Sequence, residues 1–416
     1  VHPSSPAPRP GLARFLAIAG PGIVVAFADT EAGSITTAAA SGAQFGMKLI
    51  LLQLLLIVPL FVVQEMTVRL GTVTGKGHAQ LIREHYGLGW TWVSLGTMAL
   101  TNIAALVTEF IGIAGAALIF GVNPNVMVLA AAAVLITVSL SGTYKSAELA
   151  ALGLCMVELL FIPAAFAAHP AASDVIRNGL FGSQPLGDRS YLLLVAGNIG
   201  AVIMPWMIFY QQSATVDKGL QVADLGPARA DTGIGAVLTQ FIMIAVIVTT
   251  AATLFKSGIG VTDAAHAALA LEPLVGRFAG VAFGAALVGA SLLGAFVVSL
   301  ATAWAFGEAF SWPCSLNYRC LEAKRFYGLY VFCTATAAGI VLIPHLPLVQ
   351  VTLYVEAFNA LVLPIVLGFL LLLANNKRIL GDRVNSLPGN IIAGTVSVVC
   401  VSLGLWYGFL VLTNAG

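Results

Sequence analysis

Charged side chains are what this sequence has least of. Asp, Glu, Lys and Arg make up 9% of its 416 residues, against roughly a quarter in a soluble domain, and that scarcity excludes a water-facing globule. The net charge is +1 and no basic patch interleaved with aromatics occurs, so nucleic acid is not expected as a partner. Cysteine is sparse too. Cys155, Cys314, Cys320, Cys333 and Cys400 lie at scattered spacings, which gives no disulfide framework and fits small apolar residues or free thiols. No nucleophile stands beside a general base, so an enzyme is not expected, and nothing suggests a resident cofactor or an obligate protein partner. The opening VHPSSPAPRPGLAR is proline-rich and lacks the ordered regions of a signal peptide. It reads as a cytoplasmic tail over 1–14.

What the chain has in abundance is apolar sequence. Hydrophobic residues reach 59%, mean hydropathy is +0.96, and apolar runs of about 20 residues, the length that spans a bilayer as a helix, recur from end to end. The runs are continuous rather than alternating with period two, which points to helices and not to a barrel. The fold class is therefore an all-α polytopic membrane protein, with the lipid bilayer as its surroundings. About eleven transmembrane helices are expected, near 15–41, 48–68, 95–119, 125–143, 147–167, 190–215, 233–255, 280–308, 326–344, 350–375 and 388–411. Forty-three glycines suit close helix packing and interrupted segments.

Orientation follows from the distribution of Lys and Arg between the connections. Threaded with the N-terminus in the cytoplasm, fourteen of the 19 basic residues fall on the cytoplasmic side. Five (Lys48, Arg177, Arg189, Lys256 and Arg277) fall on the other. The expected location is the plasma (inner) membrane, multi-pass, with the C-terminus extracellular or periplasmic.

Two segments are interrupted at their centres. The first, GPGIVVAFADTEAGSITTAAASGAQFG over 20–46, carries Asp29, Glu31 and Ser34 beside Gly33, the expected breaker; the sixth carries Pro205, preceded by Gly200. Carboxylates at bilayer depth are costly unless they face a cavity, a partner or an ion. Helix breaks there are tolerated where the backbone lines protein or water. The two breaks lie five spans apart, and an odd block size inverts the second block relative to the first, the pattern of a secondary transporter with a midplane site. The blocks are 15–167 and 190–375, joined by an extracellular loop at 168–189 and followed by an additional helix 11 at 388–411.

An unwound helix exposes carbonyls that coordinate cations. The candidate substrate-binding set is Asp29, Glu31, Ser34, the carbonyls around Ala201, Met204 and Trp206, with Glu31, Ser34, Ala201 and Met204 as metal ligands. The Met204 thioether is a soft donor that favours Mn2+ or Fe2+ over Mg2+; alternatively, Met204 only packs. Glu109 and Glu158 are candidate proton or relay groups, and Glu356 is a candidate for the outer vestibule. His78 and His85 are expected in a loop, and Gln211 and Gln212 along the inner half of the sixth helix.

Several motifs resemble the natural resistance-associated macrophage protein (NRAMP) family of divalent-metal transporters. They are GPG at 20–22, GAQFG at 42–46, RLGTVTGK at 69–76, TEFIG at 108–112, MP followed by QSA in the sixth helix, DTGIG at 231–235, and LVLP followed by NNKRILG over 361–381. The resemblance covers nearly the whole chain. It implies a LeuT-type fold in which helices 1–5 and 6–10 are inverted repeats, with helices 1 and 6 interrupted.

The departures from the family pattern fall on the chemistry. Where the family has Asp-Pro-Gly-Asn, this chain has Glu31, Ala32, Gly33 and Ser34; where it has Ala-x-x-Met-Pro-His, Trp206 replaces the histidine tied to proton movement. The family's Asp three residues before Glu109 is Leu106, and its helix-ten glutamine falls at Val362. What the resemblance implies is secondary-type transport of a divalent cation (Mn2+, Fe2+ or Mg2+) by alternating access, the metal being substrate and not cofactor, with proton coupling altered or absent. The alternative is a non-metal solute, organic or anionic, on the same scaffold.

Overall fold

The computed structural model describes residues 11–140, 143–261, 264–344 and 348–414. The first ten residues of the expected tail and the side chain of Glu356 lie outside the described residues. Helices cover every expected segment. Helix α1 (Gly11–Ile18) leads into α2 (Pro21–Ala28) and α3 (Ala32–Phe45), which share the first segment. There follow α4 (Ile50–Thr74), α5 (His78–Ile119) and α6 (Pro124–Ser139), then α7 (Tyr144–Glu158) and α8 (Phe161–Ala167) in the fifth segment. After the one-turn α9 (Ala172–Asp174), α10 (Arg189–Val202) and α11 (Pro205–Asp217) share the sixth. The remainder is α12 (Leu225–Thr250), α13 (Ala264–Val275), α14 (Arg277–Phe310), α15 (Lys324–Val341), α16 (Leu348–Ala374), α17 (Lys377–Leu380) and α18 (Leu387–Asn414).

The ends of these helices are legible in local chemistry. Proline stands at the first position of α2, α6 and α11, where its missing N–H costs nothing and its φ is already helical. Asn123, Thr143, Asp188 and Asn376 each accept a hydrogen bond from an amide in the first turn that follows, satisfying donors with no intrahelical partner. Gly75 ends α4 at φ +63°, a conformation that favours glycine.

Among the described residues, six helices are long and apolar enough to cross a membrane by length and composition, and up to seven when the bent pair at 361–383 is counted as one span. Other expected segments are covered by broken or shorter helices. The polar stretch after Arg69, expected as a loop, is helical on both sides of a short connection. Gly87, at φ +81°, kinks α5 just after its first turns. His78 is accordingly buried instead of exposed: its Nδ1 lies 3.0 Å from Gln212 Oε1 and its ring packs edge-on against Phe209.

Inside a bilayer, helices gain little from burying apolar surface against one another, so close packing between small residues holds the bundle together. Helix α14, rich in glycine and alanine, lies along α5, while α12 packs against α2, α3 and α4. Gly112 of α5 lets Ala32 and Ser291 approach its backbone, and Gly235 of α12 lets Ala26 do the same. The two broken pairs, α2 with α3 and α10 with α11, sit within this frame. Large apolar side chains such as Leu55, Leu129, Phe241 and Phe332 point outward, as a hydrocarbon surround requires.

Candidate functional site between the two broken helices

The first break falls at Asp29–Thr30–Glu31, and Gly33 is the second residue of α3 rather than the breaker. Polar side chains explain the shift, because they offer the backbone an alternative to the helical ladder. The Thr30 hydroxyl bonds Phe27 O at 2.6 Å and contacts the Glu158 carboxyl. Glu31 is extended, at φ −70° and ψ 173°, and its carbonyl accepts the first bond of α3 from Ile35 N.

The second break is Ile203–Met204, both extended. Here the cause is Pro205, whose ring clashes with a preceding residue in the α region and forces it outward. The break falls among the carbonyls expected around Ala201 and Met204, with Ala201 in the last turn of α10.

The two breaks meet. Ser34 Oγ donates to Ala201 O at 3.1 Å, and further along the same pair of helices Asn198 Nδ2 donates to Ser41 Oγ at 2.9 Å while Asn198 Oδ1 accepts from Gln53 Nε2 at 2.6 Å. Asp29 retains 2% exposure, Trp206 and Ala201 1%, and Glu31, Ser34, Met204, Glu109 and Glu158 none. All eight sequence candidates are therefore buried within the bundle.

The structure brings these candidates together in pairs. Glu158 reaches the first break through Thr30, and Glu109 reaches it through the backbone amide of Ala32, 3.4 Å from its Oε2. An N-terminal amide of a helix carries partial positive charge, so Glu109 is well placed beside α3. Across the second break, Trp206 Nε1 donates to Met204 Sδ at 3.2 Å, and Met204 N donates to Met207 Sδ at the same distance. What the structure does not do is draw the acids into one cage. Among the described residues no three His, Cys, Asp or Glu side chains are arranged to hold a metal ion.

Sequence reasoning missed a second cluster, at the N-terminal end of α2. Asp231 lies just ahead of the expected seventh segment at 233–255, but α12 begins at Leu225, so Asp231 is buried within it. Its carboxylate accepts from Gly20 N at 3.1 Å and Gly22 N at 2.7 Å. Lys218, just past α11, donates to Ala19 O at 2.7 Å and pairs with Glu148 of α7 at 2.6 Å. The signal available was the DTGIG motif, whose leading acid stands at the entrance to an apolar run. Gln211 and Gln212 lie in α11, the second half of the sixth segment. Gln211 bridges Thr67 of α4 to Thr232 of α12, and Gln212 binds His78 and Lys76 O, so both tie α11 to its neighbours.

Comparison with known proteins fits this architecture. A model of the family described as natural resistance-associated macrophage protein-like matches residues 22–410. The divalent metal cation transporter MntH of Erwinia tasmaniensis is 32% identical over 297 residues, covering 68% of this chain and 70% of that protein. MntH of Klebsiella pneumoniae is 26% identical over 402 residues, covering 94% and 93%. Among solved structures, the Eremococcus coleocola manganese transporter, in complex with an aromatic bis-isothiourea substituted compound, superposes with a TM-score of 0.73 at 18% identity, over 96% of this chain and 88% of that one. MhsT in complex with L-phenylalanine gives 0.65 at 16% identity, over 95% and 97%. At these identities the structural likeness is one of fold, the LeuT-type arrangement of a multi-pass membrane protein. The extent of the family match and the identity to MntH of Erwinia tasmaniensis together place the chain: it belongs to the natural resistance-associated macrophage protein family.

Proposed function

We propose that this protein carries a divalent metal cation across the membrane as a secondary transporter working by alternating access. The observation that carries the reading is the junction of the two broken helices, where Ser34 Oγ bonds Ala201 O beside buried Asp29 and Glu31. Broken helices meeting at mid-membrane present carbonyls and carboxylates, the donors that a hard or borderline divalent cation needs. Asp29 and Glu31 supply the charge, Ser34 and the Ala201 carbonyl supply neutral oxygens, and Met204 and Trp206 form the facing wall.

Alternating access follows from how the halves are tethered. Helix α3 is tied to α10 through Ser34 and Ser41, whereas α2 is tied to α12 and α11 through Asp231 and Lys218. Both pieces pack on α12, but the break at 29–31 separates their polar tethers, and release of those on α2 would open one side while the bonds of α3 to α10 stay in place. Blocks 15–167 and 190–375 would be the two inverted repeats. The excess of basic residues on one side, fourteen against five, supports a cytoplasmic N-terminus, an extracellular or periplasmic C-terminus and residence in the plasma (inner) membrane.

Proton coupling by the route familiar in this family is altered or absent, because Leu106 and Trp206 cannot titrate. Glu109 and Glu158, each within reach of the first break, are the remaining relay groups. The test is metal uptake into liposomes by purified protein, with Mn2+, Fe2+ and Mg2+ offered separately and an internal pH dye. Uptake of at least one cation, lost in Glu31→Ala, is the expected result. Failure to move any of the three while a family relative moves them in the same assay overturns the reading.

A further inference from the structure

The sulfur at the second break is already engaged. Trp206 is 1% exposed and its indole Nε1 has Met204 Sδ as its acceptor at 3.2 Å. The two residues flank Pro205, so this contact is set by local backbone and travels with the N-terminus of α11. The geometry points to Trp206 as the residue that sets specificity: its indole N–H holds the Met204 thioether out of the ligand set. The site therefore takes hard, oxygen-seeking divalent cations such as Mg2+, Ca2+ and Mn2+ in preference to soft ones such as Cd2+. This inference rests on the transport reading above and narrows its substrate class.

The argument compares what each donor can still offer. A hydroxyl has two lone pairs besides its proton, and a carbonyl has two, so Ser34 and Ala201 remain able to coordinate a cation while bonded to each other. The Asp29 and Glu31 carboxylates are hard donors by nature. A thioether is a weak donor whose value lies with soft metals, and here its electron density is shared with an N–H. The sulfur keeps a second lone pair, but a cation that takes it draws density away from the indole N–H bond, and weakening the one acceptor of a buried donor is costly. Hard cations gain nothing from sulfur and meet no such penalty. Soft cations are therefore disfavoured on the order of tenfold, which at this temperature is about 1.4 kcal/mol.

Competition binding on the purified full chain tests this, with Mn2+ as reporter and Mg2+, Ca2+ and Cd2+ as competitors, alongside cadmium X-ray absorption of the loaded protein. The wild type is expected to show no cadmium–sulfur shell and weak displacement by Cd2+. Trp206→Phe, which keeps a ring and removes the N–H, is expected to gain such a shell and to favour Cd2+ on the order of tenfold more than the wild type does. A cadmium–sulfur shell in the wild type overturns the inference, as does an unchanged Cd2+ preference in folded Trp206→Phe. Should that variant fail to fold, the wild-type spectrum decides alone. Binding of no cation by the wild type sinks the transport reading itself, an outcome distinct from sulfur ligation.

Discussion

Ser34 and Ala201, 167 positions apart in the chain, are joined by a hydrogen bond of 3.1 Å in which the Ser34 hydroxyl donates to the Ala201 carbonyl. It is a bond between the first turn of α3 and the last turn of α10, and it ties together two helices whose continuity has been broken by different means. Polar side chains open the first helix and a proline opens the second. Because both ends are fully enclosed, the bond is worth more than its like on a surface. Removing the hydroxyl leaves a buried carbonyl short of a partner, a cost of about 1–3 kcal/mol.

Ser34→Ala is therefore expected to lower the melting temperature by several degrees and to weaken divalent-cation binding at least tenfold in isothermal titration. Ser34→Thr, which keeps the hydroxyl, is expected to retain most of both. Equal binding by the alanine variant and the wild type would show that this junction does not take part in holding the cation.

The clamp on α2 makes a second prediction. Asp231 satisfies the amides of Gly20 and Gly22 and places a negative charge at a helix N-terminus, an arrangement worth about 1–2 kcal/mol where it is buried. In Asp231→Asn the charge and one acceptor are lost. Hydrogen exchange of the amides at 20–24 is expected to accelerate roughly tenfold, that being what about 1.4 kcal/mol of local opening gives, while exchange in α3 stays as it was. Acceleration spread evenly over both helices would argue against independent tethering.

How far the sequence anticipated all this depends on which physical signal each feature leaves. Apolar runs and prolines act locally, so the helices and the Pro205 break are readable in one dimension. The position of the first break was misjudged because glycine is a permissive residue and not a directive one. The opening is set by Thr30 and its reach to Glu158, 128 positions away. Asp231 and Lys218 fall outside the apolar runs, and a charge inside a helix looks the same in sequence whether it meets solvent or two backbone amides. The indole–thioether contact was equally invisible, although its partners are two residues apart. Both residues were named as site candidates, but their contact depends on how the backbone leaves Pro205.

Lys218 and Glu148 lend themselves to a double-mutant cycle. Their side chains keep only 11% and 15% exposure, between the surface case worth about 0–1 kcal/mol and the buried case, where removing one partner costs about 3–5 kcal/mol. Lys218→Met is expected to be clearly destabilising, since it strands the Glu148 charge and frees Ala19 O. Adding Glu148→Gln should recover part of the loss. Additive effects of the two changes, read by thermal melts in detergent, would mean that the pair contributes no coupling at this end of the bundle.

Two glycine substitutions separate packing from the chemistry of the site. A Cβ on Gly22 would lie 2.7 Å from Thr232 N and 2.8 Å from Thr232 Cα, atoms of the α12 backbone that cannot step aside. Alanine is the better helix former by about 1 kcal/mol, but overpacking of this kind costs about 1–3 kcal/mol, so the clash wins and α2 is pushed away from α12. At Gly294 the new methyl would meet the Glu109 carboxyl instead, with the Cδ at 2.6 Å, and that is the movable end of a flexible side chain. Gly294→Ala is expected to melt near the wild-type temperature while transport falls, since Glu109 must swing from its place beside Ala32 N. Gly22→Ala is expected to lower the melting temperature and to raise exchange at 20–24, as Asp231→Asn does. If the two alanine variants instead behave alike in melts, exchange and flux, Glu109 has no role that its position determines.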